Sequence, residues 1–205
     1  KILTVGPPFV DIELKIADDG EILVKGELVM QGYWNMPDET AEALREGWLH
    51  TGDIGEIDKE GHLKITDRKK DIIVNSGGDN ISPQRIEGFL DLQPEIAQSM
   101  VYGDQKPNIT ALIVPQSEFA SDWAKARGRP SKMVTLVDDP DFQKAISQAI
   151  DRVNENMSVI ERIRKFILMP EGFTIDNGMM TPSMKIRRHV IRSKYGDALE
   201  DLYAR

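Results

Sequence analysis

The sequence contains no cysteine, which excludes a disulfide framework, a thiolate nucleophile and a cysteine-based zinc site, and fits a reducing compartment. Its three histidines, His50, His62 and His189, are scattered without metal-ligand spacing, so no metal site and no Ser-His-Asp triad is expected. No apolar run approaches the ~18–20 residues that cross a bilayer, and no signal peptide is apparent. Neither a G-x-x-x-x-G-K-S/T phosphate loop nor a G-x-G-x-x-G fingerprint occurs, which removes two common nucleotide motifs. Cations are in deficit: 26 Lys and Arg face 34 Asp and Glu, a net charge of −8. That balance argues against nucleic-acid binding, which needs a basic footprint, but leaves room for an anion held by a few local cations. The chain opens Lys-Ile-Leu-Thr without methionine and reads as a piece of a longer protein.

What remains is ordinary globular material: 205 residues, 40% hydrophobic and 29% charged. Residues 1–66 read as short strands. Asp11–Ile16 alternates, with Ile12, Leu14 and Ile16 on one face; Asp18-Asp19-Gly20 turns; Glu21–Lys25 and Glu27–Met30 continue the sheet. Pro37 opens a short helix through Leu44, and Ile54–Asp58 and His62–Thr66 flank a hairpin turn at Lys59-Glu60-Gly61. This is small-barrel or meander material. Further on, Ser82-Pro83 caps a helix to about Leu92, Ser99–Tyr102 and Ile109–Val114 are neighbouring strands, and Ser117–Arg127 is a helix. Asp139-Pro140 opens the longest helix, whose stripe of Phe142, Ile146, Ala149, Ile150, Val153 and Met157 faces a core. Arg164–Met169 is a third strand, and residues 184–203 are one or two helical segments. The fold class is therefore α+β: a strand-rich first part, then a compact lobe with a small sheet covered by helices.

The stretch between the two parts carries the chemistry. Asp53 stands in what reads as a tight Thr51-Gly52-Asp53 turn; as a turn residue it bonds its own backbone, and as a fixed carboxylate it suits a vicinal diol. The run Asp67-Arg68-Lys69-Lys70-Asp71 holds five adjacent charges, which cannot enter a core unpaired, so it is expected to be a wet connector or to face a charged ligand. Arg68 lies one strand from Asp53, and its fork suits phosphate or ribose oxygens. Gly77-Gly78 ends a strand, either for its backbone freedom or to let a thin ligand pass. Lys185 is borne by the polar loop Thr174–Thr181 ahead of a helix, whereas Arg187 and Arg188 read as a solvated face.

Four segments, GEILVKGELVMQGYWN, GWLHTGDIG, ITDRKKDIIVNSGGDNISPQRIE and TPSMKIRR, stand in the order and near the spacing of the adenylate-forming AMP-binding superfamily. The chain resembles the C-terminal portion of a long-chain fatty acid–CoA ligase of that superfamily. The resemblance implies residues 1–66 as the end of the large AMP-binding lobe, 67–71 as a hinge and 72–205 as the mobile C-terminal lobe. It implies Asp53 on the ribose hydroxyls, Arg68 on the nucleotide, Lys70 at the hinge, Gly77 and Gly78 along the coenzyme A tunnel, and Lys185 bridging the attacking carboxylate and the α-phosphate. ATP with Mg, a fatty acid and coenzyme A are the implied partners of the full-length enzyme, the 205 residues alone binding no cofactor and lacking the N-terminal lobe. The implied setting is cytoplasmic, at most peripheral to the inner membrane face. Met184 replaces the Gly that precedes the lysine in many relatives, and Val74 stands where some carry a second lysine. Activation of another carboxylic acid, or a stand-alone binding module without catalysis, are the alternatives.

Overall fold

A computed structural model describes residues 4–204. The chain forms two compact units, Lys1–Ile72 and Ile73–Arg205.

The first unit is an open antiparallel sheet built on one long strand. Strands β1 (Glu13–Ile16) and β2 (Glu21–Lys25) form a hairpin, followed by helix α1 (Pro37–Ala43), the short β3 (Leu44–Arg45), β4 (Trp48–Ile57) and β5 (Leu63–Arg68). One edge of β4 takes β2; the other is shared by β3 at its start and β5 at its end. Among the described residues the sheet does not close into a barrel. The first strand starts at Glu13, later than the alternation suggests, because Asp11 has a φ of +67° that interrupts extended backbone. Glu27–Met30 is not a strand: the chain turns after Lys25, with the Val29 N–H bonded to the Gly26 carbonyl at 3.1 Å.

Thr51-Gly52-Asp53 is not a tight turn but a bulge inside β4. Opposite β2 the register jumps from Leu23↔His50 to Glu21↔Ile54, so extra residues of β4 must be accommodated. Gly52 takes a φ of +69°, which a residue without Cβ adopts at little cost. The charged run is only partly a wet connector. Asp67 and Arg68 finish β5, Lys69–Asp71 makes one 3-10 turn, and Asp67 is buried with the Arg68 N–H donating to its carboxylate at 2.7 Å. Hydrogen bonding within the unit makes that burial tolerable.

The second unit begins with a small hairpin, β6 (Ile73–Val74) and β7 (Asn80–Ile81), and helix α2 (Pro83–Asp91), capped by Ser82 Oγ accepting from Arg85 N. Strands β8 (Ile96–Tyr102) and β9 (Ile109–Pro115) pair antiparallel; helices α3 (Ser117–Ala126), α4 (Met133–Leu136) and α5 (Pro140–Glu155) follow, and β10 (Ile163–Leu168) joins β9 in parallel. Asp139 caps α5 by accepting from Asp141 N and Phe142 N. The last helix, α6, is a single segment, Arg188–Asp201.

Both faces of this sheet are covered, which is why β9 is buried along its whole length and apolar except for Thr110, whose hydroxyl donates to the Tyr102 carbonyl. Ala111 and Ile113 join Ile86, Leu90 and the α5 residues Phe142, Ile146, Ala149, Ile150 and Val153 on one side, with Met157, two residues past the end of α5, in the same cluster. Leu112 and Val114 meet Met179, Met180, Phe173, Ile191 and Leu199 on the other. That second cluster seats the loop carrying Lys185.

Candidate functional site

Within the first unit, Asp53 and Arg68 are directly opposed across β4 and β5. Arg68 Nε donates to Asp53 Oδ1 at 3.0 Å. Arg68 also lines a cleft of about 620 Å³ together with Thr51, Gly52, His50, Lys69 and Lys70. Arg45 joins these cations, but Glu21, Glu39 and Glu42 line the same cleft, so its charge is mixed, and the bulge brings Gly52 to its wall.

Glu21 organises this wall. Its carboxylate, 3% exposed for the residue as a whole, accepts from the Gly52 N–H at 2.9 Å and from Lys69 Nζ at 2.9 Å, and meets His50 Nδ1 at 3.0 Å. Lys69 Nζ reaches Asp19 Oδ2 as well, at 2.6 Å. Burial pushes the Glu21 carboxyl up, but the bonds from His50, Lys69 and Gly52 outweigh it and hold it below the ordinary glutamate range. Lys69 is correspondingly raised by Asp19 and Glu21. The sequence gives Glu21, His50 and Lys69 no site role; for Glu21 the available signal is an acidic residue at the head of a strand whose next residues, Ile22 and Leu23, are core.

The hairpin beyond Asp53 gathers Asp58, Glu60 and His62 within 4.8 Å of one another, which the scattered histidine spacing did not suggest. Asp58 Oδ1 accepts from the backbone N–H groups of Glu60 and His62, at 2.9 and 3.0 Å, so its role there is to cap the turn.

In the second unit Gly77 and Gly78 form the exposed tip between β6 and β7. Asn75 Oδ1 accepts from Gly77 N and Asp79 N, both at 2.9 Å, and Gly78 has a φ of +86° with open space where a side chain would be. The turn between β8 and β9 braces this tip: Gln105 N donates to the Val74 carbonyl, Ser76 N to the Lys106 carbonyl, and Asp104 accepts from Val74 N. Lys70 is exposed at the 3-10 turn of the first unit.

Lys185 is exposed at the end of a short two-sided loop. Met180 bridges Ile186, Arg187 N donates to the Met179 carbonyl, and the Lys185 N–H and carbonyl both bond Thr181. Met184, just before the lysine, has a φ of +62°, a conformation in which glycine is less strained. Arg188 is not on a solvated face. It forks onto Glu87, Nη1 to Oε1 at 2.7 Å and Nη2 to Oε2 at 2.5 Å. Burial pushes the Glu87 carboxyl up, against the pull of Arg188 and the Val101 N–H. Glu87 was legible as an acidic residue among Pro83, Ile86 and Leu90 on the buried stripe of α2.

Comparison with known proteins gives consistent results. The model of the AMP-binding enzyme C-terminal domain matches residues 70–205. The long-chain-fatty-acid–CoA ligase FadD15 of Mycobacterium tuberculosis is 42% identical over 205 residues, covering 99% of this chain and 34% of that protein. Human long-chain-fatty-acid–CoA ligase 1 is 39% identical over 190 residues, covering 91% and 27%. Among solved structures, the A domain of carboxylic acid reductase from Segniliparus rugosus, in complex with AMP and a co-purified carboxylic acid, superposes with a TM-score of 0.79. It is 25% identical and covers 97% of this chain and 32% of that one. The chain spans about a third of the length of the curated relatives it matches.

Proposed function

The chain belongs to the AMP-binding enzyme family, whose C-terminal domain it carries over residues 70–205, and from that premise we propose that it is the C-terminal part of an ATP-dependent long-chain fatty acid–CoA ligase. In the first half-reaction a carboxylate oxygen attacks the α-phosphorus of ATP, the bond to pyrophosphate breaks, and an acyl-adenylate forms. In the second, the sulfur of coenzyme A attacks the acyl carbonyl carbon, the thiol proton is lost, and AMP leaves.

The observation that carries this reading is the ion pair of Asp53 with Arg68, whose side chain lines a cleft together with Lys69 and Lys70. Asp53 accepts hydrogen bonds from the ribose hydroxyls, and Arg68 orients that carboxylate and faces the nucleotide. Lys185 neutralises the repulsion between a carboxylate and an α-phosphate brought together where water is scarce. Removing it after adenylation and admitting a thiol past Gly77 and Gly78 calls for a pivot, which we place at Lys70. Mg would neutralise ATP phosphates when bound; Glu21, the buried carboxylate of the cleft, is committed to Lys69, His50 and Gly52 and does not fit as its ligand. No helix among the described residues is long and apolar enough to cross a membrane. We place the enzyme in the cytoplasm, with at most peripheral contact where its lipid-soluble substrate resides.

ATP–pyrophosphate exchange by the full-length enzyme across short, medium, long-chain, aryl and amino acids tests the substrate class. Exchange greatest with long-chain acids is expected; exchange driven by aryl or amino acids alone would refute it.

A further inference from the structure

The loop bearing Lys185 is fastened at both ends. At its entry, Gln98 on β8 mimics a neighbouring strand: Oε1 accepts from Phe173 N at 2.7 Å and Nε2 donates to the Phe173 carbonyl at 3.0 Å. At its exit, three residues beyond Lys185, stands the fork of Arg188 on Glu87. Glu87 Oε1 also accepts the Val101 N–H of β8 at 2.8 Å, so one carboxylate ties α2, β8 and the start of α6. The Glu87 side chain is 9% exposed and that of Arg188 21%. Between the two anchors, Met179 and Met180 are buried.

We infer that Glu87 and Arg188 are positioning residues for adenylation, acting through Lys185; this rests on the role proposed above for that lysine. A two-point fork fixes direction as well as distance. A buried ion pair adds little net stability over an apolar pair of like volume, whereas a displacement of about 1 Å at a reacting centre costs on the order of 10²-fold in rate. The pair's consequence is therefore sought in geometry.

The test uses the full-length enzyme with Arg188→Lys, which keeps the charge but loses the second contact point. The double variant Glu87→Gln with Arg188→Met removes both charges and keeps an acceptor for the Val101 N–H, guarding against misfolding. Each is assayed for ATP–pyrophosphate exchange, for thioester formation from supplied acyl-adenylate, and for melting temperature. Both variants are expected to lose about 10- to 100-fold in exchange kcat, with the KM for ATP and the thioester step within about twofold of wild type. Equal losses in both half-reactions, or no loss in exchange, would overturn the inference. Lys185→Ala in the same assays separates the two levels. If it spares exchange, the role of Lys185 fails and the positioning role falls with it. If it abolishes exchange while the fork variants do not, only the positioning role fails.

Discussion

Replacing Asp53 by Asn changes one charge and almost no volume, and the structure allows its two consequences to be weighed separately. The Asp53 and Arg68 side chains are 28% and 50% exposed, so their 3.0 Å pair is screened by solvent. An exposed pair of this kind contributes about 0–1 kcal/mol. The Asp53 N–H bond to Thr51 Oγ1 does not involve the carboxylate and survives the substitution. Folding stability should therefore fall by less than about 1 kcal/mol. Binding should fall further, because a carboxylate accepting a ribose hydroxyl makes a charge-assisted bond of about 1.5–3 kcal/mol. At 1.4 kcal/mol per decade that is roughly a 10- to 150-fold weaker Kd for AMP. Calorimetric titration of the full-length enzyme with AMP and with its 2′-deoxy analogue measures this, alongside thermal unfolding. The deoxy analogue should bind wild type weakly and respond less to the substitution. Unchanged AMP affinity in a folded Asp53→Asn variant, or equal losses for both nucleotides, would refute the ribose assignment.

Further outcomes follow from single sites. At Gly52, φ is +69° but nothing lies within 4 Å of a built Cβ, so Gly52→Ala should cost only backbone strain, about 1–2 kcal/mol. At Gly55 a Cβ would lie 2.5 Å from the Lys64 carbonyl oxygen and 2.7 Å from Ile22 Cδ1, so Gly55→Ala should destabilise more; denaturant unfolding showing the reverse order would contradict the bulge. Met184→Gly should stabilise the chain by up to about 1 kcal/mol by relieving a φ of +62°, and a lower denaturation midpoint would argue against that strain. The Glu21 carboxyl is held below its ordinary value, so its contribution is full above about pH 4.5 and is lost as pH falls through the lower folded value. The stability gap between wild type and Glu21→Gln should therefore narrow below that pH, and a gap independent of pH would remove Glu21 as a titrating anchor.

Local rules carried much of the fold. Ser82-Pro83 and Asp139-Pro140 place helix starts where the structure has them, and the Phe142–Met157 stripe lies wholly in the core. Those signals depend on neighbours within a turn or two, so sequence spacing alone expresses them. The errors came where the outcome depends on distant partners. Thr51-Gly52-Asp53 has turn composition, yet β2 and β5 hold it in a strand as a bulge. Five consecutive charges suggest a wet connector or one facing a charged ligand; Arg68, Lys69 and Lys70 are exposed, but Asp67 is buried and Lys69 is drawn to Asp19 and Glu21, some fifty positions earlier.

For the site the division is similar. The motif residues Asp53, Arg68, Lys70, Gly77, Gly78 and Lys185 could be named from their segments. That Asp53 and Arg68 are cross-strand partners, that Glu21 grips the bulge beside them, and that Arg188 leaves the surface to fork onto Glu87 were decided by strand register and burial. A charged side chain finds its partner through space, and an ion pair's strength depends on how far solvent is excluded. Neither quantity is carried by the order of residues along the chain.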